Sequence, residues 1–320
     1  MNTYRQLWHN QNLSYHKKVD QEGSPVVVRP IYSLISVGTE RSMITTADLS
    51  PATANRMRVP FMSGEFGKDF TYGYSLVGEV IDGPEHFLGK NVHLLHPHQE
   101  LALVDEASLY IIPVGVDLKQ ATLASNMETA VNAVWDARLE MGDQVLVVGY
   151  GQIGALVAKL CERSLGVTVV VAETDQKRAA LAIDHGFEIW QGDTQPNFDI
   201  AFHTSGTSEG LQFSVEQIGS EGKVIELSWY GSRETKLRLG ESFHYDRKQI
   251  ISSQVSSLPS RKNANWDYHK RKDLVFDLLS QIDFGYLIQG SIPFDQAPDF
   301  FNSLRRKSPS EIGIIIDYNE

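Results

Sequence analysis

The chain predicts an α/β fold of two domains, a compact β-barrel-like domain and a doubly wound parallel sheet flanked by helices. Three observations predict it. Its 320 residues exceed the roughly 150 that one compact domain needs. Residues 24–112 read as short apolar runs separated by Gly, Pro and acidic turns, and beyond residue 120 apolar strands alternate with amphipathic helices.

In chain order, PVVV, YSLISV, YSLVGEVI, NVHLL, LALV and SLYIIP are the expected barrel strands, with Gly73, Gly78, Gly83 and Gly89 supplying bulges and turns. Residues 46–62, rich in Ala, Arg and Met, read as a helical excursion or loop. Val145–Val148 is then a strand, Ile153–Arg163 a helix, Val167–Ala172 a strand and Gln176–His185 a helix. Ile200–Phe202, a helix around Leu211–Ile218 and the strand Val224–Leu227 repeat the unit. The serine-rich segments after Ile250 read as a connection between domains. The helix Lys272–Gln281 follows, with the run HKRK at its start taken as solvated, and strand, short helix and final strand close the chain.

With 42% hydrophobic and 22% charged residues the composition is globular, and 29 basic against 40 acidic residues gives −11. That charge repels phosphate backbones and anionic membranes, so neither nucleic acid nor membrane is an expected partner. Cys161 is the only cysteine and sits in an apolar helical stripe, which reads as core. It permits neither an intramolecular disulfide nor a cysteine-rich structural zinc site. No stretch reaches the roughly 18 apolar residues of a membrane helix and the N-terminus carries no ordinary signal peptide, so a cytoplasmic protein is expected.

The sharpest motif is VLVVGYGQIGALVAKL, a strand running into Gly149, Tyr150, Gly151, Gln152, Ile153 and Gly154 and then a helix. The first glycine permits a tight turn, the second lets backbone approach a pyrophosphate, and the third lets helix and strand pack closely. This is a Rossmann dinucleotide turn in its required context. The next strand ends at Glu173, placed to accept hydrogen bonds from the adenosine ribose hydroxyls. A carboxylate there repels a 2′-phosphate, so NAD is favoured over NADP. Lys177 and Arg178 either offer charge to such a phosphate or are a solvated helical turn.

Six segments, SVGTE at Ser36–Glu40, GYSLVGEV at Gly73–Val80, GKNV at Gly89–Val92, ETAVNAV at Glu128–Val134, the glycine turn and FHTSG at Phe202–Gly206, carry a resemblance. Together they resemble the medium-chain dehydrogenase/reductase (zinc-type alcohol dehydrogenase-like) superfamily over nearly the whole chain. Within it they look closest to the branch that includes bacteriochlorophyllide hydroxyethyl dehydrogenase. The resemblance implies a GroES-like β-barrel catalytic domain at 1–124 and 256–320, a Rossmann domain at 125–255, a substrate in the cleft between them, and frequent dimerisation through the nucleotide domain. It also implies that Ser205 and Gly206 lie along the nicotinamide ribose, and that the strand end Ser228, Trp229 and Tyr230 meets the carboxamide.

Departures matter as much. The zinc ligands of the superfamily fall on Val37, Tyr74 and either Ala124 or Ser125, none a ligand, so a zinc-independent enzyme is expected. A metal on His93, His96 and His98 is disfavoured, because His93 and His96 point to opposite faces of a strand. His96 or His98 lines the substrate pocket or simply packs. Thr39 matches the hydroxyl that relays the alcohol proton, but Ser42 replaces the histidine that completes the relay. Tyr74 and His96 are therefore the candidates for handling the substrate proton, beside Thr39. The expected activity is NAD(P)-dependent hydride transfer between nicotinamide and a carbinol/carbonyl substrate. The alternatives are quinone or enone reduction and a nucleotide-binding sensor or scaffold without turnover.

Overall fold

In the computed structural model the described residues are 2–23, 25–46, 49–192 and 197–319. The expected excursion at 46–62 is in part outside them, at residues 47 and 48. The chain opens with β1 (Asn2–His9), β2 (Ser14–Gln21), β3 (Val26–Ile35), α1 (Val37–Thr45) and α2 (Pro51–Met57). Then come β4 (Phe70–Thr71), β5 (Leu76–Asp82), β6 (Asn91–Leu94), β7 (Ala102–Val104), β8 (Tyr110–Ile111) and α3 (Leu118–Ala121). Next are α4 (Ala124–Ala137), β9 (Gln144–Val148), α5 (Gln152–Glu162), β10 (Thr168–Ala172), α6 (Gln176–Asp184) and β11 (Glu188–Ile189). After these follow β12 (Phe198–His203), α7 (Ser208–Gln217), β13 (Ile218–Glu226), α8 (Ser242–Tyr245) and β14 (Gln249–Ser252). The chain closes with α9 (Tyr268–Gln281), β15 (Ile288–Pro293), α10 (Ala297–Leu304) and β16 (Gly313–Asp317).

The chain divides into two compact units, Met1–Ser125 with Phe276–Glu320, and Asn126–Val275. The return therefore falls inside α9 and not in the serine-rich segments near residue 256. The first unit holds a mostly antiparallel sheet in the order β15-β16-β3-β5-β6-β8, with β7 beside β3, and a smaller sheet β2-β1-β4. Its core follows the two-residue period of strands: Val26 and Val28, Val92 and Leu94, Ala102 and Val104 all point into one cluster with Leu76 and Val80. Each such side chain contributes roughly 1.5–3 kcal/mol on burial.

The second unit is a six-stranded parallel sheet in the order β11-β10-β9-β12-β13-β14. Renumbered within the unit that order is 3-2-1-4-5-6, the doubly wound dinucleotide-binding topology, whose crevice opens where β9 and β12 lie side by side. Cys161 is fully buried, as expected of core, and burial pushes its thiol well up. Among the described residues no helix is long and apolar enough to cross a membrane.

Several expectations are corrected. The hairpin β1–β2 was invisible in the polar N-terminus; its turn is made by Asn10, whose Oδ1 accepts from the backbone N–H of Asn12 and Leu13 at 3.0 Å each. Two expected strands, PVVV and YSLISV, are one strand, because the ladder to β5 shifts register on either side of Pro30 and so accommodates a residue with no N–H. Val37 leaves that strand and begins α1. The start of α9 is not wholly solvated: Arg271 is 3% exposed, and Lys272 is mostly buried.

Those two cations converge on the buried Glu128. Arg271 Nε lies 3.3 Å from Glu128 Oε1, Lys272 Nζ donates to Oε2, and Arg271 also donates to Asn132 Oδ1 at 3.1 Å and Val255 O at 2.8 Å. Removing the anion leaves two buried cations unpaired, a loss of about 3–5 kcal/mol. Glu128→Ala is therefore expected to lower the denaturant midpoint by that equivalent and Glu128→Gln by less, as read by chemical unfolding; a loss below about 1 kcal/mol would show the cations to be compensated elsewhere.

Candidate active site

The glycine turn stands at the C-terminal edge of the parallel sheet, between β9 and α5. Gly149 has φ +98°, a conformation that favours glycine, and a Cβ there would lie 3.0 Å from the Ser205 backbone. On Gly154 a Cβ would collide with the Gly149 carbonyl oxygen, so only glycine lets α5 settle against its strand. Gly151 has open space, with Arg178 Nη1 as the nearest atom at 3.8 Å from a built Cβ. The three glycines thus divide the labour as the motif requires. An anion approaching Gly151 meets the N-terminus of an eleven-residue helix and a guanidinium.

At the tip of β10, Glu173 is held by backbone. Its Oε2 accepts from Tyr150 N at 2.7 Å, and its Oε1 accepts from Thr174 N at 2.6 Å and Asp175 N at 2.8 Å. Lys177 is exposed. The side chains of two expected contact residues make further contacts within the unit. The Tyr150 ring is fully buried, with its hydroxyl 2.9 Å from His185 Nδ1 and its ring against Phe187, so only its backbone is at the turn. Gln152 is 9% exposed; its Oε1 accepts from Asn126 Nδ2 at 2.9 Å while its Nε2 has no partner, and Ile153 is half-buried. A buried orphan amide donor at this turn fits a site meant to hold a polar group. The residues here suit a dinucleotide.

Across the crevice, the ends of β12 and β13 bring together more than the motif promised. Ser205 is exposed and its Oγ lies 2.7 Å from His203 Nε2. His203 Nδ1 is 2.9 Å from both oxygens of Glu226. Glu226 also accepts from Ser228 N at 2.6 Å and the Tyr230 hydroxyl at 3.1 Å, and Ser228 Oγ accepts from Gly206 N at 3.0 Å. Burial first, and Glu226 second, push the Tyr230 phenol up, so it stays a neutral donor. Trp229 is half-buried at the same strand end. Sequence reasoning missed His203 and Glu226, although His203 stands inside the FHTSG segment.

In the other unit, α1 carries Thr39 and the loop before β5 carries Tyr74. The side chains of Ser36 and Thr39 hydrogen-bond to the Tyr74 phenol, and burial pushes that phenol up to about 12, so it is a neutral hydrogen-bond donor at physiological pH. Thr39 and Tyr74 are thus brought together. Ser42, at the former relay position, turns back onto Gly38 O at 2.9 Å. Glu40, beside Thr39, is 1% exposed; it accepts from Ser36 N at 2.7 Å and meets His98 Nε2 at 3.0 Å, and His98 Nδ1 in turn lies 2.7 Å from Ser33 Oγ.

The remaining histidines separate. His96 stacks on Phe61 and donates from Nδ1 to Pro97 O at 2.9 Å, leaving Nε2 as its acceptor; burial lowers its pKa to about 4. His93 Nε2 is shared between Ser75 Oγ at 3.0 Å and Ser125 Oγ at 3.3 Å, and Ser125 Oγ donates to Tyr74 O at 2.7 Å. Val37, Tyr74, Ala124 and Ser125 offer no imidazole, thiolate or carboxylate. Among the described residues no group of three or more His, Cys, Asp or Glu could hold a metal ion. These donors do not fit zinc.

Comparison with known proteins agrees with this architecture. The family model of the TrkA-N domain matches residues 145–197. A D-guloside 3-dehydrogenase of Escherichia coli (strain K12) is 24% identical over 272 residues, 77% of each chain. Among solved structures, 2R,3R-butanediol dehydrogenase from Bacillus subtilis superposes with a TM-score of 0.79 at 17% identity, covering 99% of both chains. A zinc-binding dehydrogenase from Sinorhizobium meliloti 1021 bound to NADP gives 0.78 at 15%, covering 99% of this chain and 100% of that one.

The depressed His96 has a measurable consequence. Its folded pKa of about 4 lies below the ordinary 6.5, so between those values the unfolded chain binds a proton that the folded chain does not. Stability is therefore expected to fall as pH drops from 6.5 to 4, with His9, also lowered by burial, adding to it. In urea unfolding across that window His96→Gln should flatten the slope by up to about 1.4 kcal/mol per pH unit; an unchanged slope would mean that His96 titrates normally.

Proposed function

We propose that this chain, a member of the medium-chain dehydrogenase/reductase superfamily, is a zinc-independent oxidoreductase that moves a hydride between the nicotinamide of NAD(H) and a carbinol/carbonyl pair. The observation that carries the reading is the glycine turn at the switch point of the parallel sheet, with Glu173 fixed at the tip of the neighbouring strand. A relative named D-guloside 3-dehydrogenase and another named sorbitol dehydrogenase, from Halalkalibacterium halodurans, support a polyhydroxylated carbinol as the substrate class.

When bound, the cofactor supplies a hydride donor or acceptor at nicotinamide C4. The chain's residues do the rest. Glu173 receives the adenosine ribose, and Gly151 with the α5 N-terminus and Arg178 faces the pyrophosphate. Ser205, Gly206 and Ser228 line the nicotinamide half of the crevice. Toward the substrate, Tyr74 is a donor held by Ser36 and Thr39, able to hydrogen-bond the oxygen that becomes carbonyl. The same neutral donor suits the carbonyl of an enone or quinone, which favours double-bond reduction as the second reading.

NADH is expected to bind several-fold more tightly than NADPH, because Glu173 would face the 2′-phosphate. Calorimetric titration of both cofactors checks it, and equal affinities would show that Arg178 and Lys177 dominate. In steady-state assays with NAD(H) and a panel of polyols, ketones, enones and quinones, Tyr74→Phe should lower kcat about a hundredfold while NADH affinity holds. Activity should survive exhaustive chelation; loss on chelation with recovery by zinc would overturn the zinc-free reading.

A further inference from the structure

The side chains at the ends of β12 and β13 form a directed chain. Both Glu226 oxygens accept, Oε1 from Ser228 N and Oε2 from the Tyr230 hydroxyl, so His203 Nδ1, 2.9 Å from both, is the nitrogen that donates. Nε2 is then an acceptor, and Ser205 Oγ at 2.7 Å donates to it. Thr207 Oγ1 accepts from Gly210 N at 3.1 Å, which turns its own hydroxyl toward Ser205 Oγ at 3.0 Å. Ser205 Oγ therefore gives its proton inward, accepts from Thr207, and retains one further lone pair.

The chain is also rigidly backed. Glu226 is anchored by Ser228 N and the Tyr230 hydroxyl, and the Tyr230 ring stacks on the imidazole at 6.4 Å and 16°. The His203 side chain is fully buried. A side chain on Gly210 would collide with Ser205 Oγ and press on His203 Nε2, so a glycine in the first turn of α7 keeps the pair in place. A hydroxyl on an imidazole oriented by a carboxylate is the arrangement by which proteins draw a proton off a weak acid. It lies in the second half of a sheet whose first half ends in Glu173, which assigns it to the nicotinamide side of the crevice.

We propose that Ser205, backed by His203 and Glu226, is the group that takes up the hydroxyl proton released when the carbinol is oxidised. This rests on the dehydrogenase reading above. Oxidation takes one hydride from carbon, which is the nicotinamide's share, and one proton from oxygen. That proton passes to Ser205 Oγ as the serine's own proton moves to His203 Nε2, leaving a carbonyl product and an imidazolium paired with Glu226. Reduction runs the same transfers backwards. Ser205 meets the hydroxyl, while His203 and Glu226 are positioning residues behind it.

Two measurements test this on the full chain. The first is nitrogen-15 NMR of the histidine rings, with His203 assigned by the loss of its signals in His203→Gln. The expected result is a neutral ring with its proton on Nδ1, turning to mixed tautomers in Glu226→Gln; a ring protonated on both nitrogens at pH 8 could accept nothing and would overturn the proposal. The second compares kcat for polyol oxidation with NADH affinity, read by fluorescence titration. Ser205→Ala and His203→Gln should each lose about a hundredfold in kcat, with NADH affinity within about threefold in His203→Gln, whose fully buried side chain lies behind Ser205. Wild-type kcat in both variants with NADH bound would sink the proposal and leave the dehydrogenase reading standing, whereas failure of the wild-type chain to bind NADH would sink both.

Discussion

The constraint on which the rest of the nucleotide-binding unit depends is the near-contact of Gly154 with the Gly149 carbonyl. Because α5 can lie that close to its own strand, its first turn points at the crevice and not past it. Thr204 fastens the arrangement from the neighbouring strand, donating to Gly149 O at 2.8 Å, so the end of β12 is tied to the turn at the end of β9. Tyr150, the residue between the first two glycines, is then free to face inward and fill the core beside His185 and Phe187, and its backbone N–H is left to hold Glu173. A single side-chain carbon on Gly154 would disturb the glycine turn, the carboxylate of Glu173 and the strand end that carries Ser205.

How much of this could be read from the sequence follows from range. Strand and helix periods are local, so the parallel unit, its glycine turn and the acidic strand end at Glu173 were legible. The β1–β2 hairpin was not, because NTYRQLWH shows no clean alternation and its burial is decided by β4 and by Gln99 from another part of the chain. Pro30 looked like a break because its neutralising bulge is a property of the pairing with β5 and not of its neighbours. The HKRK run looked solvated because Glu128, which buries two of its cations, lies 143 residues from Arg271. The site shows the same limit: Tyr74 and Thr39 were found by motif, but the partners that set their chemistry, and the Glu226 behind His203, are joined only by folding.

On the proposed reading, a phenol in place of a zinc ligand changes the electrostatics at the substrate oxygen. A metal ion stabilises an alkoxide outright, whereas a neutral phenol near a buried carboxylate only donates a hydrogen bond. Glu40 raises the Tyr74 pKa further, which keeps the proton on the phenol and makes it a poor base. Stabilisation of the carbonyl and removal of the proton are then separate tasks. A residue good at the first is unsuited to the second, so a carbinol mechanism on this chain needs an acceptor other than Tyr74.

Among the described residues two histidine–carboxylate pairs have a buried imidazole, and what lies at the end of each separates them. In Glu40–His98 both imidazole nitrogens are engaged, one by Glu40 and one by Ser33, whose oxygen continues to the Tyr318 hydroxyl at 2.9 Å; the two side chains are 1% and 0% exposed. A proton arriving there has no route in that does not first break a buried hydrogen bond, so the pair serves to brace α1 against the His98 loop. Glu226–His203 is equally buried at its imidazole but ends on the hydroxyl of Ser205, an exposed residue. The two arrangements differ little in their acid and base and wholly in where the chain of hydrogen bonds stops, and that end point is what separates a brace from a proton acceptor.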